Sequence, residues 1–479
     1  MNRNSQLKKF LRTWGFFVFC GILGSAGVVV FANPEKKGPG TQAEVSAPAK
    51  PVPIDLKSQA SGATAVERLT SFLGIFFLIG LCWLMSDNKK NINWTLVAWG
   101  LALQFIFGVL ILKTAPGLWV FEKLNDGTVA LLGFTEQGSA FLFRSFVTGQ
   151  VDNGLVNFTF KVLPTIIFFS SLMTVGYHIG LMQRIVDVFA VIMQKTMKCS
   201  GAETLSTAAN IFVGQTEAPL VVKPYIETMT RSELLAVMAG GFANTAGGVL
   251  AAYVGMLHQY FPDIAGHLIA QSVMSAPAAL VCAKIVMPEM GKPATMGHVK
   301  MTTEKLDANV IDAASRGATE GLTLAFNVAA MLLAFIALIG LGNGMLKWAA
   351  GSLGYPQVSL ESVLGVLGWP LAWAMGVPTA ECWKVGQLIG VKTVINEFVA
   401  YLQMADLMSK GELSPRAAII CSYALSGFAN FSSIAIQIGG ISAIAPSRRH
   451  DLAKLGLKAM VTGAIATFMT ATIAGALIG

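Results

Sequence analysis

The chain has 479 residues, 54% of them hydrophobic and only 13% charged, and its mean hydropathy is +0.62. An ordinary soluble domain is about 25% charged, so the composition excludes a soluble globular fold and indicates an all-α polytopic membrane protein. The formal net charge of +8 does not mark a nucleic-acid partner, because the basic residues sit in short loops between apolar runs, where they act as a topological signal. Cys20, Cys82, Cys199, Cys282, Cys382 and Cys421 stand singly with no CxxC pair, which points to free thiols and argues against zinc or a disulfide framework. The histidines form no HExxH, and GKP at Gly291 lacks the Ser or Thr of a P-loop, so neither a metalloprotease nor an ATP-driven pump is indicated.

Residues 1–32 read as a signal peptide or an extra N-terminal helix. Arg3, Lys8, Lys9 and Arg12 precede an apolar run from Trp14, which ends in Val30-Phe31-Ala32, a signal-peptidase pattern, and cleavage is the favoured reading. The stretch 33–65, rich in Pro, Ala, Gly, Ser and Lys, reads as a disordered linker. About eight spanning helices follow, over 69–86, 94–112, 162–182, 232–257, 264–287, 320–343, 415–443 and 456–478. The loops carrying Lys89 and Lys90, Lys195 and Lys198, Lys223 and Arg231, Lys292 to Arg316, and Arg448 to Lys458 all fall on one side of that count, which the positive-inside rule makes the cytoplasm. Stretches 116–160 and 290–318 are mixed in polarity and are expected to be interfacial helices and loops.

Two apolar segments, 200–222 and 376–400, are interrupted near their middles by Gly, Pro, Glu and Gln. They read as re-entrant hairpins, which a membrane tolerates only where protein or a wet cavity satisfies the freed backbone groups. Behind each lies a helix start, Thr230-Arg231-Ser232-Glu233 or Ser414-Pro415, and then the tetrapeptide GFAN, at Gly241 and at Gly427. Each copy thus reads as a hairpin, a helix with an internal break and a closing helix. The loop count has the copies entering from opposite faces, an inverted repeat of the kind that places a transported substrate near the midplane.

Glu217 in VGQTEAP and Glu397 in INEFVAY fall inside these apolar segments, where a carboxylate costs about 2.5–3.5 kcal/mol even on the lenient insertion scale. One role for either is structural, capping hairpin backbone or pairing with a lysine such as Lys392. The other is recognition, since Gln215, Thr216, Glu217, Glu397, Asn430, Ser432 and Ser433 form a polar set without a cation. Such a set suits a neutral molecule rich in hydroxyls or amides: two carboxylate oxygens face a vicinal diol, and a glutamine offers a donor and an acceptor to a base edge. Nucleosides satisfy the whole description, while sugars and amino acids fit parts of it. Phe428 and Phe431 add flat apolar surface or pack the core. His178, Asp187 and Glu381 are isolated and read as structural or interfacial.

The segments ANIFVGQTEAPLVVKPY, MTRSELLAVMAGGFANTAGGVLAAYV, KTVINEFVAYLQM and SGFANFSSIAIQIGGI, in this order, resemble the concentrative nucleoside transporter family, and the sodium-coupled bacterial members in particular. The resemblance covers roughly residues 65 to 479. It implies a homotrimer in the cell's inner (plasma) membrane, in contact with membrane lipid, with scaffold segments over 66–182 and 290–375 and transport-domain repeats over 183–289 and 376–479 that move as an elevator. It implies a substrate such as uridine, whose base is addressed by Gln215, Thr216 and Glu217, whose ribose is held by Glu397, Asn430 and Ser433, and whose apolar wall is Val249 and Phe428. It implies sodium as the coupling ion, held by Asn210, the carbonyl of Val213, and the positions of Asn244 and Thr245, with no cofactor. Many relatives carry Ser or Thr where Asn244 stands; its amide oxygen can coordinate a cation, or the longer side chain can reach the facing hairpin. Proton coupling through Glu217 or Glu397 and symport of another polar metabolite are the alternatives. An intramembrane enzyme using the two glutamates as an acid-base pair lacks any nucleophile, metal cluster or aspartyl signature.

Overall fold

The computed structural model describes residues 65–129, 163–297, 307–351 and 359–478, and every regular element among them is helical. The segment 1–32 and the linker expected over 33–65 lie outside the described residues, except for Ala65, which already opens the first helix.

The first two helices, α1 (Ala65–Leu84) and α2 (Trp94–Lys113), are apolar and 20 residues long. Asn93 caps α2 by accepting the Leu96 amide. Residues 115–129 are helical again, and the rest of the 116–160 stretch is outside the described set. The span expected over 162–182 is shorter than that: α3 (Leu163–His178) ends early, and the chain bends by 77° into α4 (Leu181–Met197). The reason is amphipathicity. Met182, Val186, Ala190, Met193 and Met197 form one buried stripe at helical spacing, while Arg184, Asp187 and Lys195 interleave with it.

The first hairpin has a helical limb, α5 (Gly201–Ala209), and returns as a 3-10 stretch, Ala218–Thr228, with Pro224 inside. The helix after it is broken, as α6 (Arg231–Ala243) and α7 (Gly247–Leu257), and α8 (Ile264–Val286) closes the unit. The expected span 320–343 lies inside a 42-residue helix, α9 (Val310–Gly351), which absorbs the end of the stretch assigned to loops. An apolar helix that the sequence reading left unassigned, α10 (Leu360–Ala374), packs against α11 (Cys382–Val394).

The second hairpin is α11, a tip at Ile395-Asn396, and α12 (Glu397–Ser409). It starts later and runs further than the expected 376–400, because Asn396 caps α12 through the Val399 amide and nothing in the following 13 residues breaks a helix. Next come the broken pair α13 (Pro415–Leu425) and α14 (Phe431–Ile444), and the closing α15 (Arg449–Leu477). Five segments are long and apolar enough to cross a membrane among the described residues, or six if the bent pair α3–α4 counts as one, against the eight expected. The expected span 415–443 is divided by its break into α13 and α14, of 11 and 14 residues.

The interior is built around α15, which touches α1, α2, α6, α8, α13 and α14. Its buried Thr467, Thr470 and Thr472 donate to carbonyls of their own helix at 2.7, 2.9 and 2.7 Å, so their hydroxyls are satisfied without leaving the packed surface. The helix starts expected at Thr230 and Ser414 both form, the first as a full capping box with Glu233. A second capping box, Ser200 with Glu203, starts α5, and Glu203 pairs with buried Lys284 at 2.6 Å. Glu381 ties the second unit together by accepting the Ser414 amide at 2.9 Å. The basic loops meet at one end: Lys458 reaches Asp87 at 2.5 Å, Asp87 N donates to Val286 O, and Arg448 donates to carbonyls of Ile226, Glu227 and Met229. Cys82, Cys199, Cys282, Cys382 and Cys421 are buried free thiols.

Candidate functional site

The two hairpin tips meet at the first turns of α14. Asn430 is the N-cap of that helix, its Oδ1 accepting the Ser433 amide at 2.9 Å and the Ser432 hydroxyl at 2.7 Å. With the oxygen committed, its Nδ2 is turned outward and donates to Glu397 Oε2 at 2.8 Å. Glu397 opens α12, where the positive end of the helix dipole favours a carboxylate. Its other oxygen accepts from Tyr253 OH at 3.0 Å, and Tyr253 is itself stacked on Tyr401 with ring centroids 4.2 Å apart.

The opposite hairpin reaches the same helix further along. Gln215 Nε2 donates to Ser433 Oγ at 3.3 Å, and Gln437 Nε2 donates to Gln215 Oε1 at 3.0 Å and to Met238 O at 3.0 Å. Thr216 lies against Gly440, where an added Cβ would stand 2.5 Å from its methyl. Ser433, Gln437 and Gly440 are spaced four and three apart, so one face of α14 receives the first hairpin while its N-cap receives the second. Glu217 takes the Thr216 hydroxyl at 2.9 Å and, unlike Glu397, is exposed. Glu397 is buried, whereas Glu217 is exposed because it sits where the α5 limb has ended and the 3-10 return begins.

The helix breaks face each other. Gly427 N donates to Thr245 Oγ1 at 2.8 Å, Thr245 and Ser426 hydroxyls are 3.0 Å apart, Ser426 donates to Gln271 Oε1 at 2.8 Å, and Gln271 Nε2 donates to Ala243 O at 3.2 Å. Gly427 has φ +95°, and a Cβ there would be 2.7 Å from Phe242 O, so both conformation and space demand glycine. The GFAN copies are nevertheless not equivalent in the fold. Asn244 comes fourteen residues after its cap Thr230 and ends α6, whereas Asn430 comes sixteen after Ser414 and begins α14. In copy one Gly241 faces Gln437 and Gln215, at 2.6 and 2.9 Å from the position a Cβ would take, and so admits the amide pair.

Three family models match in succession: "Na+ dependent nucleoside transporter N-terminus" over residues 73–146, "Nucleoside recognition" over 159–260, and "Na+ dependent nucleoside transporter C-terminus" over 267–475. An uncharacterized transporter of Haemophilus influenzae is 43% identical over 415 residues, 86% of this chain and 98% of that protein. The chain belongs to the Na+-dependent, concentrative nucleoside transporter family. Sodium/nucleoside cotransporter 1 of Rattus norvegicus is 40% identical over 426 residues, 86% of this chain, and the chain spans 64% of that longer relative. Among solved structures, CNTnw in an inward-facing substrate-bound state aligns with a TM-score of 0.77 and 42% identity, covering 85% of this chain and 97% of that one. An intermediate state of a CNTnw variant gives a TM-score of 0.80 at 42% identity, over 86% and 98% of the two chains. The protein is accordingly a multi-pass plasma-membrane transporter and not an enzyme.

In this nucleoside transporter the donors for a coupling cation are distinguishable. Among the described residues no group of three His, Cys, Asp or Glu side chains converges on a metal site, so a cation would depend on neutral oxygens. Asn210 caps the end of α5 and is 1% exposed; its Nδ2 donates to Ser206 O at 3.3 Å, and its Oδ1 is buried without a hydrogen-bond partner. It lies beside Gly240, in the last turn before the α6 break, and Phe212 O accepts Gly247 N at 3.1 Å across that break. An orphaned amide oxygen beside an unwound helix fits a hard cation. The Asn244 amide is already engaged, by the Ser275 hydroxyl and by Gly240 O, and the Thr245 hydroxyl by Gly427 and Ser426.

Val249 is buried on α7, one turn before Tyr253, and Phe428 is half-buried in the second break. Phe431 is 47% exposed. Tyr253, Gln271, Ser426 and Gln437 were missed. Gln437 was within reach of the sequence, standing four residues after Ser433 on a helix; Tyr253 and Gln271 have no local signal, because their partners are 144 and 28 residues away. Lys392, considered as a partner for Glu397, spends its ammonium hydrogens elsewhere.

Proposed function

We propose that this protein imports nucleosides by sodium-driven symport as a homotrimer, its two hairpin and broken-helix units forming an inverted repeat that moves as an elevator against scaffold helices at 66–182 and 290–375. The single observation carrying the substrate reading is the convergence of Gln215 and Glu397, one from each hairpin, on the first turns of α14. A carboxylate has about four acceptor positions; Tyr253 and Asn430 take two, and two remain for the two hydroxyls of a ribose diol. Gln215, with Thr216 and Glu217 beside it, addresses the base; Asn430 and Ser433 complete the ribose end, and Val249 and Phe428 line the apolar wall.

Sodium is favoured over protons as the coupling ion by the partnerless Asn210 Oδ1, with the carbonyls of Val213, Asn244 and Thr245 completing the cage. That Thr245 spends its hydroxyl between the two breaks makes its carbonyl, not its side chain, the ligand. The elevator reading is supported by the relatives: solved CNTnw structures include inward-facing, outward-facing and intermediate states. Exposed apolar side chains on α1, α2 and α10, among them Phe76, Trp99 and Leu367, suit lipid or a second protomer.

The test is uptake of a labelled nucleoside panel into proteoliposomes under separately imposed sodium and pH gradients. An inward sodium gradient at constant pH should drive uridine accumulation. Accumulation on a pH gradient alone, with no response to sodium, would discard the sodium assignment.

A further inference from the structure

Lys392, on α11, is completely buried, yet it makes no part of the network at the hairpin tips. Its Nζ donates to Ala424 O at 2.8 Å, Ser426 O at 3.1 Å and Thr467 Oγ1 at 3.2 Å. The Thr467 hydroxyl gives its own hydrogen to Ala464 O at 2.7 Å, so toward Lys392 it can only accept. Three acceptors require three N–H bonds, and only an ammonium has three; a neutral amine has two. As an ammonium, Lys392 meets all three of these neutral oxygens, with the Phe468 ring 5.7 Å away. Ala424 and Ser426 stand at the end of α13, so two of the three oxygens are carbonyls where that helix breaks and its dipole is negative.

The first unit has the same parts with a different occupant. Its α6 breaks after Ala243, and the limb that reaches the break from the adjacent hairpin ends in Asn210, which offers an oxygen instead of a charge. Asn210 stands seven residues before Glu217, and Lys392 five before Glu397, so each comes from the first limb of its hairpin, just ahead of the tip glutamate. An amide oxygen beside freed carbonyls needs an external cation to complete it. An ammonium beside freed carbonyls brings its own.

We propose that Lys392 is a tethered cation occupying, in the second unit, the place that a mobile sodium takes in the first. It keeps the α13 break ordered throughout the cycle without an ion that must bind and leave. The transporter is left with one exchangeable cation site per nucleoside. This rests on the sodium reading given above.

The test uses the full chain in proteoliposomes, with reversal potentials giving the charge moved per uridine, and equilibrium uridine binding titrated with sodium. The parent should move about one sodium and one charge per uridine, with a Hill coefficient for sodium of about 1. Lys392→Ala removes the charge and vacates its room, so sodium should enter the second break and the Hill coefficient should rise toward about 2. A well-assembled Lys392→Ala variant that binds uridine with the parent's sodium dependence overturns the proposal, as do two sodium ions per uridine in the parent. Where the alanine variant fails to assemble or to bind, the parent's ratio decides alone, one supporting the tethered cation and two excluding it. No sodium-driven uptake of any nucleoside by the parent would instead overturn the proposed function, so the two failures are distinct.

Discussion

Replacing Glu397 by Gln isolates the carboxylate's contribution to the ribose end of the site. Asn430 cannot turn to suit the new amide, because its Oδ1 is held by the Ser433 amide and the Ser432 hydroxyl. The glutamine oxygen must therefore face Asn430 Nδ2, and its NH2 must face Tyr253, whose hydroxyl can reverse and accept. The architecture survives the change, but the acceptor positions fall from about four to two, and Asn430 takes one of them. One of the two bonds available to a vicinal diol is lost, and the other no longer ends on a charge. A hydrogen bond to a charged group is worth about 1.5–3 kcal/mol, which corresponds to roughly a 10- to 150-fold weaker uridine affinity. The assay is equilibrium binding of uridine and of uracil to purified protein at saturating sodium. Uracil, which has no ribose, should lose little. Uridine affinity within about twofold of the parent would refute the reasoning and remove Glu397 from the substrate site.

Gly427→Leu should abolish uptake while leaving a folded, membrane-inserted assembly by size exclusion: the residue has φ +95° and a Cβ within 2.7 Å of Phe242 O, so the breaks must separate, and normal uptake would count against their contact. Asn210→Ala should shift the sodium concentration for half-maximal uptake by about tenfold or more while changing uridine affinity at saturating sodium much less; equal shifts in both would deny Asn210 a place at the cation. At the start of α9, Arg316 binds Asp307 through Nε at 2.6 Å and a second nitrogen at 2.9 Å, which holds the Asp307 carboxyl below the usual carboxylate range. A depressed folded value stabilises above the ordinary pKa of about 3.9 and loses that stabilisation as pH falls through the folded value. Asp307→Asn should therefore lower the melting temperature at neutral pH, with the difference from the parent closing in acid; a difference that persists unchanged in acid would assign the effect to something other than this ion pair.

The membrane character, the helical class, the two hairpins, the capped starts at Thr230 and Ser414, and the polar residues Gln215, Glu397, Asn430 and Ser433 that the fold brings together were legible along the chain. Each depends on short-range chemistry: apolar length, a capping residue three positions from its partner, or a carboxylate in a segment that cannot afford it. The capping geometry of α14 was half legible, since an Asn followed three residues later by Ser433 reads as a cap only once Gly427 is known to end the preceding helix. The GFAN repeat misled in detail for the same reason. Identical tetrapeptides occupy different registers because α6 runs for 13 residues and α13 for 11, and the length of a helix before its break is set by what packs against it.

Tertiary structure alone decided which groups are spent and which are free. Tyr253 joins Glu397 from 144 residues away, Gln437 joins Gln215 from 222, and Thr245 joins Gly427 from 182. No local pattern carries such pairings, because a side chain's partner across the fold depends on where helices cross and not on its neighbours in sequence. Residue type and position determined that Asn210, Glu397 and Lys392 would be polar groups in an apolar interior. The crossing of α5 with α6 decided that the first keeps a lone oxygen, that of α12 with α7 and α14 that the second has two shared ones, and that of α11 with α13 and α15 that the third has a full set of acceptors.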